Sequence, residues 1–178
     1  MDNNKIENNK SIHIPETMKN TMKAPMKTIQ IIKPHKKRII TNSDKWTTVE
    51  NQLEIIQNKV LNNEYNLMLH QIHQKISGYK SQDIIKKIFS IQDFIKIDKV
   101  TDLLCECEMK CFYCQKLVYV LYDNVREPRQ WTLERIDNKF GHNMDNVVIS
   151  CLSCNLKRRC IYHERFLFTK QLTIIKNN

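Results

Sequence analysis

Glycine is almost missing from this chain: there are two in 178 residues, Gly78 and Gly141. That excludes a Gly-rich phosphate loop and argues against a loop-rich barrel, since both depend on backbone conformations that glycine supplies. No run of about 18 apolar residues exists, so no membrane-spanning helix is expected. The N-terminus lacks the apolar stretch of a secretory leader, which points to an intracellular, non-secreted protein. Cysteine is missing from most of the chain, with none outside residues 105–160. Apolar residues make up 41% of the chain, enough for a modest core and one domain, or one small domain with a helical extension.

What is present is concentrated. Seven cysteines fall within residues 105–160, and four of them form two Cys-x-x-Cys pairs, Cys111/Cys114 and Cys151/Cys154, around a 36-residue insert. Two thiolates three positions apart hold one metal from a single tight turn, and two such turns complete a tetrahedral S₄ site that suits Zn²⁺. An odd cysteine count in a reducing compartment reads as metal ligation rather than as disulfides. Cys105 and Cys107 compete with Cys111 for the metal, but Cys111/Cys114 has the better spacing. Cys160 is expected to pack on a helix as a small apolar residue.

The formal net charge is +10 and uneven: residues 1–45 carry ten Lys/Arg against four Asp/Glu, and the rest 19 against 15. A polyanion such as DNA or RNA is the expected partner, because release of its counterions drives binding. The Asn-, Lys- and Thr-rich residues 1–44 sustain no period and are expected to form a disordered basic arm. Within it, Pro34-His35-Lys36-Lys37-Arg38 reads as a solvated charge run, or else as a localisation or phosphate-contact patch. Residues 45–105 are expected to be helical. Val49, Leu53, Ile56, Val60 and Leu61, then Leu67, Met68, Ile72 and Ile76, follow three- and four-residue steps that stop at Ser77-Gly78. Ser81 caps a further short helix through Ile88, and another helix covers Lys99 to about Glu106. His70 and His73 are expected at the surface, without a metal.

Residues 106–178 read differently. Leu117–Tyr122, Trp131–Ile136 and Val147–Ile149 have strand character, and a helix from about Leu152 runs through Arg165 into Phe168. Trp131 is expected in the core. The runs Leu133-Glu134-Arg135-Ile136-Asp137-Asn138, Gly141-His142, Asn146-Val147-Val148 and Cys151-Leu152-Ser153-Cys154-Asn155 together resemble the HNH nuclease family. They look closest to zinc-stapled members such as phage recombination endonucleases, and to HNH-like proteins of large DNA viruses. The resemblance covers roughly residues 107–162.

That resemblance implies a small zinc-stapled ββα-metal domain, and with the helical N-terminal extension read from periodicity the whole is expected to be an α+β protein. It implies an endonuclease that hydrolyses DNA, branched or nicked DNA included, with one Mg²⁺ or Mn²⁺ separate from the structural zinc. A homodimer is one possible assembly. By position, Glu134 and Asn155 hold the catalytic ion and Asn146 organises the loop. Where most members place the general-base histidine this chain has Arg135, whose guanidinium stays protonated. His142 or Asp137 then supplies the base, while Arg135 neutralises the scissile phosphate. Lys157, Arg158 and Arg159 contact phosphates. If neither His142 nor Asp137 reaches the site, the chain is an inactive zinc module that binds nucleic acid. A third reading makes residues 44–105 a protein-docking region with the zinc unit as scaffold.

Overall fold

The structure is a computed structural model that describes residues 36–38, 49–59 and 62–172. The expectation for residues 1–44 therefore lies outside the described residues except at 36–38, as do Val60 and Leu61. No helix among the described residues is long and apolar enough to cross a membrane. The elements run α1 (Val49–Asn58), α2 (Asn63–Ile85), α3 (Ile97–Glu106), β1 (Trp131–Arg135), β2 (Val147–Cys151), α4 (Leu152–Arg158) and α5 (His163–Gln171). This is an α+β arrangement with one two-stranded antiparallel sheet, in the register Trp131 with Cys151 through Arg135 with Val147.

One core serves the helices and the sheet. Ile56 of α1, Met68, Ile72 and Ile76 of α2, and Val100 and Leu104 of α3 pack with Trp131, Leu133, Val147 and Ile149 of the hairpin. From His35 onward the chain forms a single compact unit, so the helical region is part of the body that carries the cysteines.

Three local expectations are corrected. Helix α2 does not stop at Ser77-Gly78, and Ser81 caps nothing: its hydroxyl donates to the Ser77 carbonyl inside the helix. A mid-helix glycine costs only about 1 kcal/mol. Burial of Ile76 before it and Asp83 after it holds the helix together. The chain after Leu152 forms two helices, because Arg159 adopts φ 51° and ends α4. Leu117–Tyr122 forms isolated bridges, Lys110 with Leu117 and Tyr119 with Gln130, and no regular strand.

A side chain replaces the missing strand partner. Gln52, on α1 and 1% exposed, accepts the Val120 and Leu121 amides at 3.0 and 2.9 Å. Its own amide donates to the Leu121 carbonyl at 3.1 Å. Residues 36–38 then add to the chain after Tyr122: Arg38 N donates to Asp123 O, Val125 N donates to Lys36 O, and Lys37 bridges Asn124. The expected solvated charge run is here an edge segment, since backbone pairing gives these residues a fixed position.

Gln52→Leu keeps the volume but strands two buried donors and an acceptor. A loss of about 3 kcal/mol or more is expected, measured by urea unfolding. A loss below about 1 kcal/mol would mean that water replaces all three bonds.

Candidate metal centre and adjoining groove

The first Cys-x-x-Cys pair sits in a tight turn that closes on itself: Gln115 N donates to Cys111 O, and Cys111 N to Lys116 O, both at 2.9 Å. Gln115 takes φ 56° to complete it. Phe112 N donates to Ile149 O, which ties the turn to β2. The second pair spans the β2–α4 junction. Cys151 ends the strand and caps the helix, its Sγ accepting the Cys154 amide at 3.3 Å.

The Sγ atoms of Cys111, Cys114, Cys151 and Cys154 all lie within 4.8 Å of one another. The edge of a tetrahedron with zinc–sulfur bonds of 2.3 Å is about 3.8 Å, and Cys114 Sγ and Cys151 Sγ are 3.9 Å apart. The set can hold a metal ion such as zinc. The Cys111 thiol is pushed up by its contact with Cys151 and by burial, and Cys154 is pushed to about 12 by burial and by Cys111. Crowded thiols disfavour one another's ionisation, and a bound cation reverses that penalty. Tyr113 is fully buried inside the first turn with its ring edge-on to Phe166, 4.9 Å between centroids, and shields the cluster. Cys105 and Cys107 stay outside the cluster, and Cys160 is exposed rather than packed on a helix, because α4 ends before it.

Beside this centre a groove of about 460 Å³ runs between α2, β1 and α4. Glu134, Arg135, His142, Asn155 and Arg159 all line it, together with Lys75 and Tyr79 from α2 and Lys86 at its C-terminal cap. Glu134 is 6% exposed, and burial lifts its carboxyl to about 7 against the pull of Arg158 and Arg135. Its Oε1 lies 3.1 Å from Arg158 Nη1, while Oε2 is buried with no hydrogen-bond partner. Asn155 Nδ2 donates to Thr132 Oγ1 at 3.3 Å, which leaves Oδ1 as the ligand atom the side chain offers.

His142 is 4% exposed and fixed from three sides. Both oxygens of Asp83, itself fully buried near the end of α2, serve this one residue: Oδ2 accepts His142 N at 2.6 Å and Oδ1 meets Nδ1 at 2.9 Å. Tyr79, one helical turn earlier, lays its ring on the imidazole at 4.4 Å, and its hydroxyl accepts Leu133 N. Gly141 lets this approach happen, because a Cβ there would lie 2.6 Å from Ile88 O and 2.8 Å from Asp83 Oδ2. Burial lowers the imidazole below its ordinary value, with the Asp83 carboxylate opposing. The neutral ring thus carries its proton on Nδ1 toward Asp83, with Nε2 as the basic nitrogen.

The remaining expected residues are placed elsewhere. Asn146 holds the loop between the strands: Oδ1 accepts Asp137 N, and Nδ2 donates to Asp137 O and Gly141 O. Asp137 does not line the groove, and its Oδ1 closes a turn by accepting Lys139 N. Arg135 reaches back to the Phe140 carbonyl at 3.1 Å. Arg158 is a correction. It is 1% exposed, donates to the Arg135 and Ile136 carbonyls and faces Glu134, so it cannot contact a phosphate. Lys157 is exposed and lines not the main groove but another, with Arg126 and Leu156, that shares Leu152 and Arg159 with it.

Asp83, Tyr79 and Lys75 were not legible as site residues. Lys75, Tyr79, Gln82 and Lys86 recur at helical spacing on the groove side of α2. That polar stripe was visible, but its target is set by packing.

Zinc analysis of protein purified without added metal is expected to give one ion per chain. Cys154→Ser or chelation should unfold at least residues 107–160, because structural zinc in such modules contributes on the order of 10 kcal/mol. A metal-free variant with native near-ultraviolet dichroism would remove the ion from the folding argument. Comparison with models of protein families, with curated proteins and with solved structures finds no match in any of the three.

Proposed function

We propose that the chain is an HNH-type endonuclease that hydrolyses DNA phosphodiester bonds in the groove between α2, β1 and α4. The observation that carries this reading is the pairing of two groups in one groove. One is the buried Glu134 carboxylate with an unpartnered oxygen; the other is the His142 imidazole held by the buried Asp83. Support also comes from the chain order β1, β2, α4 beside a four-sulfur group, an order that a ββα-metal reading requires.

Glu134 Oε2 and Asn155 Oδ1 fit a hard divalent ion that takes its other ligands from water and substrate phosphate, as Mg²⁺ commonly does. Such an ion, when bound, would polarise the phosphate and stabilise the leaving 3′ oxygen. His142 Nε2 takes the proton from the attacking water. Asp83 holds the ring in the required tautomer and steadies the imidazolium that forms. Arg135 and Arg159, in the same groove, balance the phosphate charge. His142 thus supplies the base that Arg135 cannot, and Asp137, closing its turn outside the groove, is set aside.

A second reading rests on Arg158. Its guanidinium already neutralises Glu134, and if it outcompetes a divalent ion the groove binds nucleic acid without cutting it. A cleavage assay over duplex, nicked, branched and single-stranded DNA with Mg²⁺ or Mn²⁺ separates the two. Glu134→Ala and Asn155→Ala are each expected to lower cleavage by about a hundredfold or more with zinc content unchanged. Salt-dependent binding with no cleavage by the wild-type protein would select the second reading.

Because the working base is neutral His142, cleavage should fall as pH drops through its pKa, which burial places below the ordinary value of about 6.5. Asp83→Asn removes the group that favours the charged ring, so the acid limb should move to still lower pH. The rate should drop by about a hundredfold or more as the tautomer is lost. An unchanged rate in Asp83→Asn would exclude His142 as the base; the profile alone does not decide, because Glu134, lifted to about 7, titrates in the same range.

A further inference from the structure

The groove does not end at Lys75. A second groove, lined by Arg38, Tyr122, Val125, Arg126 and Gln130, adjoins it and shares Gln130 and Leu152 with it. At the junction two cations gather on one phenol ring. The Arg38 guanidinium lies 4.1 Å from the Tyr122 centroid and the Lys75 ammonium 5.3 Å from it. Neither meets a carboxylate among the described residues. Lys75 Nζ donates to Gln130 Oε1 at 2.9 Å and to the Trp131 carbonyl. Arg38 donates to Gln71 Oε1 at 2.5 Å and to the Tyr122 carbonyl at 3.5 Å. The Tyr122 hydroxyl completes the set by donating to Gln130 Oε1.

Cations removed from water are ordinarily paired with an acid. Here burial and the neighbouring Arg38 hold the Lys75 ammonium down to about 7, with no acid to offset them. Backbone pairing of residues 36–38 with 123–125 fixes Arg38 in this position, so the arrangement is built rather than a chance meeting of mobile side chains. An anion near both cations would offset the repulsion by which Arg38 lowers the Lys75 ammonium. Aromatic rings beside the cations suit a ligand that also has flat surfaces, as a polynucleotide does.

We propose that Lys75 and Arg38, gathered on Tyr122, form a second phosphate site that grips the nucleic-acid backbone away from the bond being cut. The site rests on the nucleic-acid reading of the groove, though not on catalysis. Gln130, which Lys75 contacts, and Glu134 are four residues apart along the chain leading into β1, about 13 Å at strand rise. The two sites therefore serve different phosphates of one strand. Lys75 comes from α2 and Arg38 from the segment before α1, so both lie outside the stretch that resembles a nuclease.

The test measures binding of the zinc-loaded full chain to a labelled DNA duplex, without added Mg²⁺ or Mn²⁺, across a series of salt concentrations. Lys75→Met and Arg38→Gln should each flatten the slope of log affinity against log salt by about one unit, and the double variant by about two. Lys75→Arg should restore the wild-type slope. Lys99→Met, on α3 where Lys99 is already paired with Glu106, should leave it unchanged. Zinc content and melting temperature check that each variant is folded. If Lys75→Met does not fold, Arg38→Gln and Lys75→Arg still decide. Wild-type slopes in both charge-removing variants would overturn this site while leaving the main groove intact. Absence of wild-type DNA binding at moderate salt would overturn the nucleic-acid reading itself, and this site with it.

Discussion

The joint between the turn at Cys111–Cys114 and the β2–α4 junction is the constraint on which the rest depends. Cys151 ends a strand, caps a helix and presents a sulfur to the other three thiols. One residue thereby sets where the hairpin stops and where α4 begins. The start of α4 fixes Asn155 against Thr132 of β1, and the end of α4 brings Arg158 under Glu134. Four thiols gathered at that joint can take a metal ion such as zinc, which would cross-link the turn to the strand–helix junction.

Charge in the groove is distributed unequally, and the buried pairs carry opposite consequences. Arg158 sits beneath Glu134 with a second nitrogen on the strand-end carbonyls, so it supports the β1 terminus as much as it neutralises the acid. Asp83 is committed wholly to His142, whose main-chain and ring nitrogens it takes together. Lys75 and Arg38 face amides, carbonyls and rings instead of acids. The groove therefore holds its one acid, Glu134, against Arg158, while Lys75 and Arg38 have no acid to offset them among the described residues.

Helix α2 presents two faces. On one side Met68, Ile72 and Ile76 enter the core; on the other Lys75, Tyr79 and Lys86 line the groove. Tyr79 and Lys75 also occupy backbone groups of β1 away from its β2 partner, taking the Leu133 amide and the Trp131 carbonyl. A two-stranded sheet leaves such groups open, and here a helix closes them with side chains. The helical region is thus part of the groove's wall.

The sequence by itself determined the four-cysteine grouping, the α+β class, the two strands at Trp131 and Val147 and the helix starting at Leu152. Each is written locally: in the Cys-x-x-Cys spacing, in the alternation from Trp131, in the apolar run at Val147, and in the second cysteine pair opening a helix. It misjudged Ser77-Gly78 and Leu117–Tyr122 because both are local signals that distant contacts override. Buried Ile76 and Asp83 carry the helix through the glycine, and the amide of Gln52 supplies what a neighbouring strand would have given. Only the tertiary structure decided that Asp83 serves His142, 59 residues away, and that Arg158 lies inside while Arg159 lies outside. A carboxylate's partner and a guanidinium's burial depend on which surfaces meet when the core closes. Nothing in the spacing of one segment records what packs against it from another.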